Sequence, residues 1–140
     1  MTILLFTDAS TKNGASCWAY RSSLDDYVTT DICLTTNIAA MEILAIVKGL
    51  ESLPLGSDVL VISDLLSAVN LITNRFQDPH HVPIKGNICH MVKQRLKALL
   101  KLYNVDAIWV ASKCPNVRHL EVDQASKITL QEFLLGHNRC

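Results

Sequence analysis

The stretch "AAMEILAIVKGLESLPLGSDVLVISD", residues 39–64, holds a helix, a break and a strand in succession. Lys48, Glu51 and Ser52 fall at i, i+3 and i+4 and mark a solvated helix face. The helix ends near "LPLGSD", and "DVLVIS" is then an apolar strand that stops at Asp64. Glu42 does not belong to the solvated face. Its helical neighbours Ile38, Ala45, Ile46, Gly49 and Leu53 form the stripe that should meet the core. Such a carboxylate is either a rim residue in the first turn, where a helix N-terminus favours negative charge, or one aimed inward for a chemical reason.

Upstream, "TILLFTDAS" is another short apolar run that stops at an aspartate, Asp8. After the turn "TKNG", the segments "ASCWAYRSS" and "YVTTDICLTT" are rich in aromatic and β-branched residues and read as an antiparallel meander. Downstream, "DLLSAVNLITNRF" has helical periodicity and gives way to the loop "QDPHHVPIKG". "NICHMVKQRLKALLKLY" is an amphipathic helix. Its Lys93, Lys97 and Lys101 form a cationic stripe opposite Ile88, Val92, Leu96, Leu99 and Tyr103. "VDAIWVAS" is a last strand, and "LEVDQASKITLQEFLLG" a closing helix. Three strands, helix, strand, helices, strand and helix predict an α/β domain spanning 1–140. Its sheet is mixed and five-stranded, a three-strand meander plus two parallel strands, with helices on both faces.

At 140 residues, 49% hydrophobic and 19% charged, the chain can bury a core without disulfides or metal staples. No apolar run approaches a membrane span, and "MTILLFTDAS" lacks the basic start of a signal peptide. Cys17, Cys33, Cys89, Cys114 and Cys140 are odd in number and scattered, which fits reduced thiols in a cytoplasmic or nuclear setting. Cys114 and His119 lack the two further ligands that zinc would need. The formal net charge is zero, yet residues 1–64 are mainly acidic. From Arg75 to Lys101 the balance reverses, with Arg75, Lys85, Lys93, Arg95, Lys97 and Lys101 against Asp78. An acidic cluster beside a basic segment suits a metal-dependent enzyme acting on a polyanion, though it also arises by chance.

In the expected architecture Asp8 and Asp64 end adjacent parallel strands, the sheet edge where open α/β folds place their sites. Glu42 projects from the first turn of a helix on that sheet, and Asp123 opens the last helix. Taken singly, each acid has a strand-end or helix-capping role available. Together they repel and lose hydration unless a cation neutralises them, and hard divalent ions such as Mg²⁺ prefer all-oxygen ligands.

"TDAS", "TTN…MEILAIVKGLESL", "VLVISD…AVNLI", "IWV" and "VDQAS", in that order over nearly the whole chain, resemble ribonuclease H of type 1. The loop from Trp109 to Asp123 is most similar to the ribonuclease H domains of retroviral reverse transcriptases. The resemblance implies four metal-ligating, catalytic acids, here Asp8, Glu42, Asp64 and Asp123, holding two Mg²⁺ or Mn²⁺ ions. It also implies cleavage of the RNA strand of RNA–DNA hybrids, leaving 5′-phosphate and 3′-hydroxyl ends. No small-molecule cofactor or membrane is implied, and the chain would act as a monomer or as a domain of a larger polymerase-type protein. Ser10, Asn13 and Asn37 become candidates for polar contacts to the hybrid's minor groove, beside turn and capping roles. Lys93, Lys97 and Lys101 become candidates for phosphate contacts, beside a plain solvated face.

The chain departs from the family's pattern at four places. The glycine-rich loop after the first aspartate is reduced to "TKNGA"; Asn37 precedes Glu42 by one residue more than usual; Leu65 follows Asp64 where a serine is usual. The family's mobile catalytic histidine aligns with Lys113, and its asparagine with His119. A lysine stays protonated at neutral pH and is a poor proton acceptor, though it can contact phosphate. These changes keep open two alternatives: a weak or inactive binding or scaffold domain of the same fold, and a nuclease of that fold with another substrate.

Overall fold

The computed structural model describes residues 1–74, 88–111 and 117–137, with side chains from 120 to 136 in the last segment. The expected loop over 77–86, Lys113, Cys114 and the His119 side chain lie outside the described residues. In chain order the elements are β1 (Thr2–Lys12), β2 (Ala15–Ser22), β3 (Thr29–Cys33), α1 (Ile38–Glu51), β4 (Asp58–Ser63), α2 (Leu66–Thr73), α3 (Ile88–Leu99), β5 (Asn104–Trp109) and α4 (Val117–His137).

The strands form one mixed sheet in the order β3-β2-β1-β4-β5. β2 runs antiparallel to β1 and to β3, whereas β1, β4 and β5 are mutually parallel, as the alternation of strands and helices predicts. Asn13 and Gly14 join β1 to β2 with φ of 53° and 81°, between the paired residues Lys12 and Ala15. Positive φ at both positions is what a tight two-residue hairpin of this hand requires. It also explains the abbreviated "TKNGA".

Strand alternation divides the core. Ile3, Leu5 and Ala9 of β1 and Trp18 and Tyr20 of β2 pack with α1, α2 and α3 on one face. On the other face Phe6, Ala19 and Ile62 meet Val122 of α4, and Ala15 and Cys17 meet Leu130. Arg21 of β2 pairs with Glu121, and Thr30 of β3 lies 3.1 Å from Thr129, so α4 is tied to the meander half of the sheet.

α1 is the central element, buried from Ala40 to Val47 between the sheet and α3. Asn37 caps it, its Oδ1 accepting the Ala40 N–H at 3.0 Å. Gly49 lets α1 approach β1 closely: a Cβ there would stand 2.7 Å from both Leu5 methyl carbons, and Leu5 is fully buried.

Three boundaries differ from the sequence-based expectation. α3 ends at Leu99, where Lys101 and Leu102 close a tight turn onto Ala98 and Leu99, so Lys101 leaves the helical stripe. α4 starts at Val117, so Asp123 sits in its second turn rather than opening it. α1 starts at Ile38 with no acid in its first turn, so Glu42 lies beyond that turn. Among the described residues no helix is long and apolar enough to cross a membrane.

Overpacking a rigid site costs about 1–3 kcal/mol. Gly49→Val is therefore expected to destabilise the protein by about 2 kcal/mol, read as a lower denaturation midpoint at unchanged m-value.

Candidate functional site

The β1–β4 pairing runs from Thr2 opposite Asp58 to Phe6 opposite Ile62. The same offset carries Asp8 to the level of Asp64, the residue just after β4. Past that last rung β1 continues to Lys12, paired only with β2. The sheet is thus open beside Asp8 where β4 has stopped.

That opening brings two faces together. By alternation Asp8 shares the α4 face with Phe6, whereas Glu42 comes from α1 on the opposite face. One carboxylate oxygen each from Asp8, Glu42 and Asp64 nevertheless lies within 4.8 Å of the other two. Glu42 is 6% exposed and Asp8 2%, with Asp64 half-buried. The rim reading of Glu42 fails on both its burial and its position in the helix.

Neighbouring backbone holds the acids in place. Asp8 Oδ1 accepts the Ala9 N–H at 2.9 Å. Ser63 Oγ accepts the Leu65 N–H at 3.1 Å, and the Trp109 indole N–H donates to the Asp64 carbonyl at 3.0 Å. Asp123 reaches the cluster from α4, where its carboxyl is within hydrogen-bonding reach of Asp8. Its Oδ2 also accepts from Lys127 Nζ at 3.0 Å. All four sequence-predicted acids converge, with Asp123 at the margin and the other three forming the tight group.

Among the described residues, Asp8 Oδ2 and Glu42 Oε2 are buried with no donor to serve them. Burial, then the hydrogen bond with Asp123 and the charge of Asp64, push the Asp8 carboxyl far above the usual carboxylate range. Burial, then the charges of Asp8 and Asp64, push Glu42 upward as well. Orphaned, crowded carboxylate oxygens of this kind suit a hard divalent cation, which would remove both the repulsion and the unmet hydrogen-bonding capacity.

The other candidates occupy varied places. Ser10 lies on β1 two residues past Asp8, and its Oγ is buried without a partner among the described residues. Asn13 forms the hairpin turn and Asn37 the α1 cap. Lys93 and Lys97 lie on α3, which packs on α1, and Arg95 beside them pairs with Glu51 at 2.7 Å. Sequence reasoning missed Trp109 and Lys127. Lys127 was legible as the i+4 partner of Asp123 on a helix; the Trp109 contact with Asp64 exists only once β5 lies beside β4. Compared with known proteins, the chain matches no family model and none of the curated proteins.

The raised carboxyls set the sign of a pH effect. Their folded-state affinity for protons exceeds that of the unfolded chain, so the metal-free protein is most stable below about pH 4 as far as these groups are concerned. That contribution is lost as the pH rises through the raised values. Thermal melts of metal-free protein are expected to show Glu42→Gln more stable than the parent at pH 8, by about 2–6 °C for roughly 1–2 kcal/mol. Mg²⁺ should raise the parent's melting temperature and leave the variant's nearly unchanged. An identical response in both proteins would show that Glu42 is no part of a cation site.

Proposed function

We propose that this protein is a metal-dependent ribonuclease H that hydrolyses the RNA strand of RNA–DNA hybrids. The observation that carries this reading is the convergence of Asp8, Glu42, Asp64 and Asp123, from four distant elements, at the open edge of a β3-β2-β1-β4-β5 sheet. The order of motifs that resembles type 1 ribonuclease H lies on those same elements.

Asp8, Glu42, Asp64 and Asp123 would hold two Mg²⁺ or Mn²⁺ ions, which supply an activated water and charge stabilisation for the leaving oxygen. The chain's own work is positioning. Ala9 and Trp109 fix the Asp8 and Asp64 segments through their hydrogen bonds. Lys127 holds one oxygen of Asp123. The packing of α1 excludes water behind Glu42. Lys93, Lys97 and Lys101 give a basic surface on which the duplex backbone would rest.

Incubation with a labelled RNA–DNA hybrid tests the reading directly. Expected is cutting of the RNA strand alone, dependent on Mg²⁺ or Mn²⁺ and abolished by EDTA. Asp64→Asn should lower the rate by at least about 10²-fold. The scaffold reading rests on Lys113 standing where the family has its catalytic histidine; hybrid binding with no cleavage in either metal would establish it instead.

Phosphate binding by the basic surface has a separate readout. Replacing Lys93, Lys97 and Lys101 together by Ala should weaken hybrid binding. It should also flatten the dependence of log affinity on log salt by about 0.9 for each phosphate no longer neutralised. Unchanged affinity and slope would return these lysines to a plain solvated face.

A further inference from the structure

The four acids do not enter the candidate site on equal terms. Asp8, Glu42 and Asp64 offer oxygens within 4.8 Å of one another, a group that can serve one cation without Asp123. Asp123 adds a second place, since its carboxyl is within hydrogen-bonding reach of Asp8, the acid common to both. A second ion therefore depends on Asp123. One oxygen of that carboxylate is already engaged: Oδ2 accepts from Lys127 Nζ at 3.0 Å. The Asp123 side chain is 25% exposed and that of Lys127 65%, so a cation from solvent can reach the pair. The charge of Asp8 acts on the same ammonium, which puts Lys127 in the field of the whole cluster and not only beside its helical partner.

We propose that Lys127 is a resident counter-cation of Asp123 that the second divalent ion has to displace, so the two ions bind with unequal affinity; this rests on the two-ion reading of the acids. The pair is suited to exchange. A partly exposed i,i+4 ion pair is weak, and a divalent ion on the same oxygen outcompetes a singly charged ammonium. The ammonium also has somewhere to go. Past the acids β1 and α4 continue side by side, and Lys127 lines a groove of about 280 Å³ between them, together with Gln131 one turn further along α4. Its flexible four-carbon stem lets the charged head swing that way. Displacement still has a cost, because the ammonium stays near a site that has gained positive charge. The consequence is a metal threshold: the site holds one ion at low concentration and completes the pair only at higher concentration.

Counting bound Mn²⁺ through the electron paramagnetic resonance of the free ion tests this on the whole chain without nucleic acid. The parent is expected to bind one Mn²⁺ tightly and a second more weakly. Lys127→Gln should tighten the second about fivefold and shift the first by less than about twofold, with the metal-free melting temperature unchanged. Lys127→Arg, which keeps the charge, should behave as the parent. In an Asp123→Asn background the second ion should be lost, and Lys127→Gln should then have no further effect. The proposal is overturned if Lys127→Gln leaves the second constant unchanged, tightens both ions alike, or acts equally in the Asp123→Asn background. A single bound Mn²⁺ in both the parent and Lys127→Gln would overturn it as well, while cleavage of the hybrid still decides the nuclease reading. No Mn²⁺ binding by either protein would remove the two-ion reading and this proposal together.

Discussion

The parallel pairing of β1 with β4, and its end after Phe6 and Ile62, is the constraint on which the rest of the molecule depends. Parallel strands end at the same edge, so one offset brings Asp8 and Asp64 abreast. The early stop of β4 at Ser63 leaves the sheet open beside Asp8. Without that opening Glu42 and Asp8 would lie on opposite faces with a continuous sheet between them. Loss of the strand's continuation thus creates the place where the two layers of the fold communicate.

Placing acids there carries a cost that the surrounding core has to offset. Asp8 and Glu42 are nearly excluded from water, and among the described residues Asp8 Oδ2 and Glu42 Oε2 meet no donor, an arrangement that disfavours the folded state when both are charged. The compensation lies in α1, whose burial between the sheet and α3 removes a long apolar stripe from water. Gly49 shortens the distance over which that packing acts. A helix buried on nearly all sides is also a rigid support, which is what a side chain aimed through a gap in a sheet needs.

Charge is arranged locally rather than globally. The neutral chain presents lysines on α3, in the turn after it, at the end of β1 and on α4, while Asp8, Glu42 and Asp64 crowd together at the β1–β4 edge. Arg95 and Arg21 are each engaged by a glutamate, Glu51 and Glu121. Lys127 belongs to both sets: it restrains Asp123 and forms one wall of the neighbouring groove.

The sequence alone determined the element order, because the period of its apolar residues switches from two to 3.6 at recognisable turn and cap residues. "TILLFTDAS" and "DVLVISD" announce strands that end in aspartates, Asn13–Gly14 announces a hairpin, and Glu42 is conspicuous because it breaks the apolar stripe of α1. The misplaced position of Asp123 and the lost helical place of Lys101 came from helix ends, where local signals are weak and tertiary packing decides how far a helix extends. Only the tertiary structure decided that Glu42 passes through the sheet's open edge, that Trp109 grips the Asp64 carbonyl and that β1 and α4 run in step beyond the acids. Each depends on two elements distant in the chain coming to rest at one spacing, and no local pattern of residues encodes that distance.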